Sequence, residues 1–245
     1  MATSTDSTQN QTELDYMKDS YLFDSQAVVR QCETVDGGKF QITLDRTIFH
    51  PQGGGQPYDV GTISNDDAVF NVNEVRMNPQ GIVIHTGEYE HGTLAPGQTV
   101  NLHVDEARRR LNCRLHSAGH LLDVAVRNAE LSLVPGKGYH FIDAPYVEYD
   151  GKIEPALRES SLNRIQIELK KLLTIPFPVK VIFENTDNGD PITYSVKRQV
   201  SIADGYTCPC GGTHVHNIRD IGNVEVTKLR VQGPKTRISY KLETN

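Results

Sequence analysis

No stretch of this 245-residue sequence approaches the roughly 20 consecutive apolar residues of a membrane-spanning helix, so no membrane partner is expected. The N-terminus, MATSTDSTQNQTELDYMKDS, lacks the basic start and apolar core of a secretory signal. Residues 1–23, rich in Ser, Thr and Gln, read as a loose polar tail. Cysteine is scarce: Cys32, Cys113, Cys208 and Cys210 are the four present. The last two lie too close together for an ordinary structural disulfide. That excludes a disulfide framework and points to a reducing, cytoplasmic setting. Positive charge is short as well. A net charge of −6 by itself argues against a nucleic-acid partner. The deficit is local, however: residues 1–102 sum to −9 and residues 103–245 to +3. The asymmetry fits a polyanionic partner for the second half and equally fits one half that is simply acidic. There is no internal repeat.

What is present is an ordinary globular composition, 37% hydrophobic and 23% charged, in a chain long enough for two compact units. Residues 24–103 read as a small β-barrel. The candidate strands are 27–33, 39–44, 61–63, 68–75, 81–85 and 99–104, short, rich in Val, Ile, Thr and Phe, and separated by turn signals such as Asp36-Gly37-Gly38 and Pro96-Gly97. The pattern changes at residue 104. Asp105 is placed to cap a helix over 107–128, with Leu111, Leu115, Ala118, Leu122 and Val126 as its buried stripe. A hairpin follows over 139–142 and 146–149. Ser160 or Ser161 then caps a second helix that Pro176 ends. A strand at 179–183 and a terminal hairpin over 222–231 and 236–242 complete the chain. The expected class is α+β: a small N-terminal β-barrel, then residues 104–245 as a two-layer α/β domain with an antiparallel sheet.

Two clusters carry chemistry. His116 and His120, within LHSAGHLL, fall at i and i+4 on the long helix and project from one face, where two imidazoles can grip one metal ion. The second cluster is Cys208-Pro209-Cys210-Gly211-Gly212-Thr213-His214-Val215-His216. Its glycine pair lets the backbone curl, and thiolate with imidazole suits Zn²⁺. Spacing leaves two arrangements open. Cys208, Cys210, His214 and His216 can close a structural site alone, or His116 and His120 can join one cysteine and one histidine of the loop. A third feature is His50-Pro51-Gln52-Gly53-Gly54-Gly55-Gln56-Pro57. Its three successive glycines allow unusual backbone angles or a close approach, as well as a plain flexible loop.

HSAGHLL and CGGTH, roughly 90 residues apart, resemble the paired metal-binding motifs of the alanyl-tRNA synthetase editing domain and its free-standing AlaX-type relatives. FHPQGGGQPYDVG is similar to the glycine-rich motif of the barrel-bearing, longer AlaX form, and GYHFIDAPYVEY and IGNVEVTKLRVQGPKTRISYKL are similar in kind to AlaX segments. The resemblance runs from about Ser25 to the C-terminus. Position 117 is Ser, where alanyl-type proteins often have Thr and the related threonyl editing domain often has Ser.

The resemblance implies a Zn²⁺ ion held by His116, His120, Cys210 and His214, with Cys208 and His216 flanking it. It assigns Gly53, Gly54, Gly55, Gln56, Ser117 and His140 to substrate binding. Gln56, His116 and His120 carry catalysis, and Gln56 orients substrate across the domain interface. Glu148 is a further candidate for the pocket; His140 and Glu148 also fit ordinary strand polarity. The implied activity is trans-editing: zinc-assisted hydrolysis of the ester in mischarged seryl-tRNA for alanine, with glycyl-tRNA second. No tRNA charging and no nucleotide cofactor are expected. Arg108, Arg109, Lys170, Lys171, Lys197 and Arg198 would hold tRNA phosphates, and Arg108, Arg109 and Arg110 equally fit a solvated helix face. Ser117 and Gln56 are the candidates to read the serine hydroxyl. The rival readings are a zinc-stabilised RNA-binding module without hydrolysis and a metallohydrolase of small esters or amides.

Overall fold

A computed structural model of the chain describes residues 11–184, 186, 190–203 and 205–243. They fall into two compact units. One holds the described residues up to Gln52, Tyr58–Arg109 and Glu184–Lys197. The other holds Gly53–Pro57, Arg110–Phe183 and Arg198 onward.

The first unit is built on a closed barrel. Strands β2 (Asp24–Val35), β3 (Lys39–Leu44), β5 (Gly61–Ser64), β6 (Val69–Met77), β7 (Val83–His91) and β8 (Thr99–Val104) close in the order β2-β3-β7-β6-β5-β8, all pairs antiparallel. Alternating residues turn inward, among them Ile42, Leu44, Ile63, Phe70, Val72 and Leu102, each at most 1% exposed. The six strands are those expected from the sequence, with β3 and β8 matching residue for residue. β7 starts later than expected, because Gly81 turns the chain at φ +78°, and runs on to His91 paired with β6.

The expected loose tail needs correction from Thr12 onward; residues 1–10 lie outside the described residues. Strand β1 (Glu13–Leu14) pairs in parallel with β4 (Arg46–Thr47), and Leu14 and Tyr16 are buried at 0% and 2% exposure. Beyond the polar start, Leu14, Tyr16 and Met17 supply apolar surface that the barrel unit takes up.

In the second unit, helix α1 (Glu106–Asn128) enters from the barrel unit, where the Asp105 carboxylate accepts from the Arg108 N–H at 2.9 Å, as its capping role requires. Between Asn112 and Val126 most of α1 is buried, well beyond a single stripe. A four-stranded antiparallel sheet holds β9 (Val134–Tyr139), β10 (Tyr146–Asp150), β14 (Val224–Gln232) and β15 (Lys235–Leu242) in the order β14-β15-β10-β9. Its inner face, including Val147, Tyr149, Ile238 and Tyr240, meets α1: the Tyr149 hydroxyl donates to Asp123 at 2.8 Å and that of Tyr240 to the Leu115 carbonyl at 2.8 Å.

Helix α2 (Arg158–Thr174) packs on β14, where Gln166 bonds both Val224 O and Val226 N. The expected serine cap is corrected. The helix begins before both serines, Ser160 donates back to the Leu157 carbonyl, and Ser161 is buried. A three-stranded sheet, β11 (Lys180–Phe183), β12 (Arg198–Ala203) and β13 (Tyr206–Pro209), completes the unit.

Candidate metal centre and substrate pocket

Helix α1 sets His116 and His120 one turn apart with their rings stacked at 4.9 Å. The loop after β13 brings Cys210 and His214 to meet them. Gly212 is what permits the meeting, since a Cβ there would lie 2.2 Å from His116 Cε1. Buried Arg198 on β12 holds the loop's curl, donating from Nη1 to the carbonyls of Cys210 at 2.6 Å and Gly212 at 3.0 Å. One ligand atom from each of His116, His120, Cys210 and His214 lies within 4.8 Å of the others.

Hydrogen bonds orient the rings. His116 Nδ1 lies 2.7 Å from Gln56 Oε1. That oxygen also accepts from the Thr213 N–H at 3.0 Å, which identifies it as the amide oxygen. His116 Nδ1–H is therefore a donor, and Nε2 presents its lone pair to Cys210 Sγ, 3.5 Å away. His214 Nδ1–H donates to the Gly212 carbonyl at 3.1 Å, with its Nε2 3.6 Å from the same sulfur. His120 Nδ1 faces Cys208 Sγ at 3.4 Å and Asp123 Oδ2 at 3.9 Å. Its Nε2 is buried with no hydrogen-bond partner among the described residues. Such an orphan is costly, and a cation in the cluster would relieve it.

Electrostatics agree. Burial, with the Arg198 charge adding, holds His120 down to about 4, and burial drives His214 well below the usual imidazole range. Burial pushes the Cys210 thiol up, opposed by the Gly212 N–H and by Arg198. Neutral imidazoles around one sulfur, each ring held by its other nitrogen, fit a borderline-soft divalent cation such as Zn²⁺.

Beside the cluster lies a cavity of about 410 Å³ whose lining includes Gly54, Gly55, Lys137, Gly138 and His140. The glycine loop is a tight reversal: Gly53 and Gln56 exchange backbone hydrogen bonds at 3.2 and 2.9 Å, and Gly54 and Gly55 take φ +56° and +79°. Positive φ at both central residues is what such a turn demands. Gly55 has a second reason to be glycine, since a Cβ would lie 2.3 Å from the Gly138 carbonyl oxygen. His140 stacks on His116 at 4.7 Å. The Tyr240 hydroxyl donates to Leu115 O, so its oxygen accepts from His140 Nδ1–H at 2.7 Å. His140 Nε2 thus keeps its lone pair, and burial, with His120 adding, holds the ring down to about 3.

The structure brings together His116, His120, Cys210 and His214, with Gln56, Gly54, Gly55 and His140 around them. Other expected residues fall elsewhere. Gly53 forms the base of the turn, outside the lining. Ser117 is fully buried, and its hydroxyl accepts from the Val215 N–H at 3.1 Å, so it faces the loop backbone and not the cavity. Gln56 is likewise fully buried, with its amide bonded to His116 and Thr213. It orients an imidazole. Glu148 pairs with Lys235 at 2.7 Å and Arg237 at 3.5 Å, outside the lining. Cys208 faces the outer nitrogen of His120 and the Val200 carbonyl, and His216 is exposed; neither belongs to the four-residue cluster.

Two cations expected to hold phosphate are buried. Arg198 braces the cysteine loop, and Arg109, 0% exposed, pairs with Asp59 at 2.6 Å in the barrel unit. The sequence reading missed Asp123, which stands three residues beyond His120 on the same helix face, and Tyr240, whose link to His140 spans 100 residues and leaves no local signal.

A profile of the class II (A) tRNA synthetases matches residues 2–108, and one described as "Threonyl and Alanyl tRNA synthetase second additional domain" matches residues 198–239. The alanyl-tRNA editing protein AlaX-L of Pyrococcus horikoshii is 29% identical over 225 residues, 87% of this chain and 54% of that protein. Alanine–tRNA ligases of Paraburkholderia phytofirmans and Burkholderia mallei are 31% identical over 198 residues, 78% of this chain and 22% of each ligase. The chain thus spans about half the length of the editing protein and about a fifth of each ligase. The resemblance read from HSAGHLL, CGGTH and the glycine motif is borne out: this chain is a relative of the AlaX-type alanyl-tRNA editing proteins.

Proposed function

We propose that this chain is a trans-editing deacylase, cleaving the ester between a wrongly attached amino acid and the terminal ribose of tRNA, with seryl-tRNA for alanine as its principal substrate. The observation that carries the reading is the convergence of His116, His120, Cys210 and His214 within 4.8 Å beside an open cavity. These four side chains would hold a Zn²⁺ ion, which would supply Lewis acidity toward an ester carbonyl and a lowered pKa for water. Every other task falls to side chains and backbone. Gln56 and the Gly212 carbonyl keep His116 and His214 in the tautomer that presents Nε2. Cys208 and Asp123 stand on the outer side of His120. The glycine turn walls the cavity without filling it.

Selectivity is assigned to His140. Its Nε2 is an acceptor at the cavity wall, kept so by Tyr240. A seryl hydroxyl can donate to it, while the methyl of cognate alanine leaves it unpaired, and discrimination in that direction is large. Glycyl-tRNA, lacking the hydroxyl, is then the weaker substrate. Four free cysteines suit a cytoplasmic setting. No helix of the described residues is long and apolar enough to cross a membrane.

The test is direct. Metal-loaded protein should shorten the half-life of seryl-tRNA for alanine and spare alanyl-tRNA, and His140→Ala should narrow the gap between them. An ester half-life unchanged by the metal-loaded protein would refute the hydrolase. Tight RNA binding without turnover would favour a binding module.

A further inference from the structure

The outer face of the β14-β15-β10-β9 sheet carries a row of planar groups that the centre above does not use. Phe141 stacks on Tyr139 at 4.5 Å and 14°, and Tyr139 stacks on Tyr146 at 5.4 Å and 15°. The Arg237 guanidinium lies 3.9 Å above the Tyr146 ring. Tyr139 and Tyr146 are direct cross-strand partners, so they share a face, while Val147 and Tyr149 alternate inward to α1. All three aromatic rings are half-buried. Phe141 ends the row, with no ring on its far side among the described residues.

The row and the pocket meet along the chain at the edge strand β9, on its opposite faces. His140, the residue between Tyr139 and Phe141, lines the cavity, as does Lys137 two residues before Tyr139. His140, which lines the cavity, and Phe141, which ends the row, are therefore adjacent in the chain. Glu148 engages Lys235 and Arg237, and Asp143 accepts from the Tyr139 hydroxyl at 3.4 Å. Lys137 is exposed and has no ion-pair partner among the described residues, which leaves it for a phosphate.

A row of parallel, partly exposed rings ending in an open face, beside a spare cation and at the sheet edge whose other side lines the cavity, has the chemistry of a single-stranded nucleic-acid site. Bases stack on aromatic faces whatever their identity, while a lysine tracks the backbone. We infer that Phe141, Tyr139 and Tyr146 form a stacking platform for the unpaired 3′-terminal nucleotides of the RNA whose acylated end enters the pocket, with Lys137 on the adjoining phosphate. This inference rests on the deacylase reading for the identity of the RNA.

The probe is an uncharged hairpin RNA with an unpaired 3′ end carrying 2-aminopurine next to its terminal nucleotide, titrated into the metal-loaded chain. Stacking should quench the fluorophore. Phe141→Ala should abolish the quench and weaken binding about tenfold without altering the salt dependence, and Phe141→Trp should restore both. Lys137→Ala should keep the quench and lower the slope of log affinity against log salt by about 0.7.

Unchanged affinity and quench in Phe141→Ala, or weakening that Trp does not rescue, would overturn the platform. So would self-association of the chain that Phe141→Ala abolishes, since the row would then be a contact between copies. Because the RNA is uncharged, quenching without hydrolysis of seryl-tRNA counts against the deacylase alone, and hydrolysis without quenching against the platform alone.

Discussion

At the scale of single residues, the four-residue cluster depends on groups outside it. Gln56 makes one hydrogen bond to His116 and two to Thr213. Gln56→Ala should lower zinc affinity by about 10- to 100-fold, read by competition against a chromophoric chelator, while the far-ultraviolet circular dichroism stays unchanged. A second residue-scale expectation concerns His85 inside the barrel. Its Nδ1–H donates to the Ile42 carbonyl at 3.1 Å, and Nε2 accepts from the Thr47 hydroxyl at 2.8 Å. Burial holds the ring down to about 4 from 6.5. The unfolded chain therefore takes up a proton that the folded one refuses between those values. The stability this contributes is complete above about pH 6.5 and is lost as pH falls toward 4, with about 2 kcal/mol gone by pH 5. Urea midpoints at pH 7 and pH 5 should differ less in His85→Phe than in the parent.

The four cluster residues were legible because helix periodicity and a dense Cys/His loop expose them, and the resemblance then chose among the open combinations. The orientation of Ser117, Arg109 and Arg198 was not legible. Residue type gives charge and hydrogen-bonding capacity, and only the folded backbone decides whether a cation meets solvent, a carboxylate or a row of carbonyls.

At the scale of elements, local pattern carried most of the barrel, where alternation and turn residues coincide. It failed where a strand lacks contrast. β12, with Arg198 buried at its start, and β13, which leads into the cysteine loop, went unread because their chemistry-bearing residues drew a different interpretation. Helix α1 illustrates a conflict between element and site. Gly119 lies mid-helix, where alanine should add up to about 1 kcal/mol of helix propensity. A Cβ there, however, would lie 2.3 Å from His140 Cε1. Gly119→Ala should therefore retain metal but lose selectivity for seryl over alanyl ester, as His140 is displaced. Equal discrimination in parent and variant would remove His140 from the selectivity role.

At the scale of the whole molecule, two perturbations report on the two units. In the barrel unit, Arg109 and Asp59 are both fully buried and paired, with further bonds from Arg109 to the Ser20 carbonyl at 2.9 Å and from the His50 N–H to Asp59 at 2.6 Å. Arg109→Ala leaves a buried carboxylate uncompensated and should destabilise by about 3–5 kcal/mol, seen in the denaturant midpoint. Metal removal acts on the other unit. Chelated protein should melt at lower temperature, and re-addition of Zn²⁺ at about 100 times its dissociation constant should restore about 2.7 kcal/mol.

The chain passes between the two units five times, at 52/53, 57/58, 109/110, 183/184 and 197/198. Gly53–Pro57 is thus a short excursion, inserted between barrel segments, that delivers Gln56 to an imidazole 60 positions downstream. No single scissor cut liberates a self-sufficient half. A gene fragment starting at the long helix would encode all four side chains of the His/Cys cluster yet omit the amide that steadies one of them.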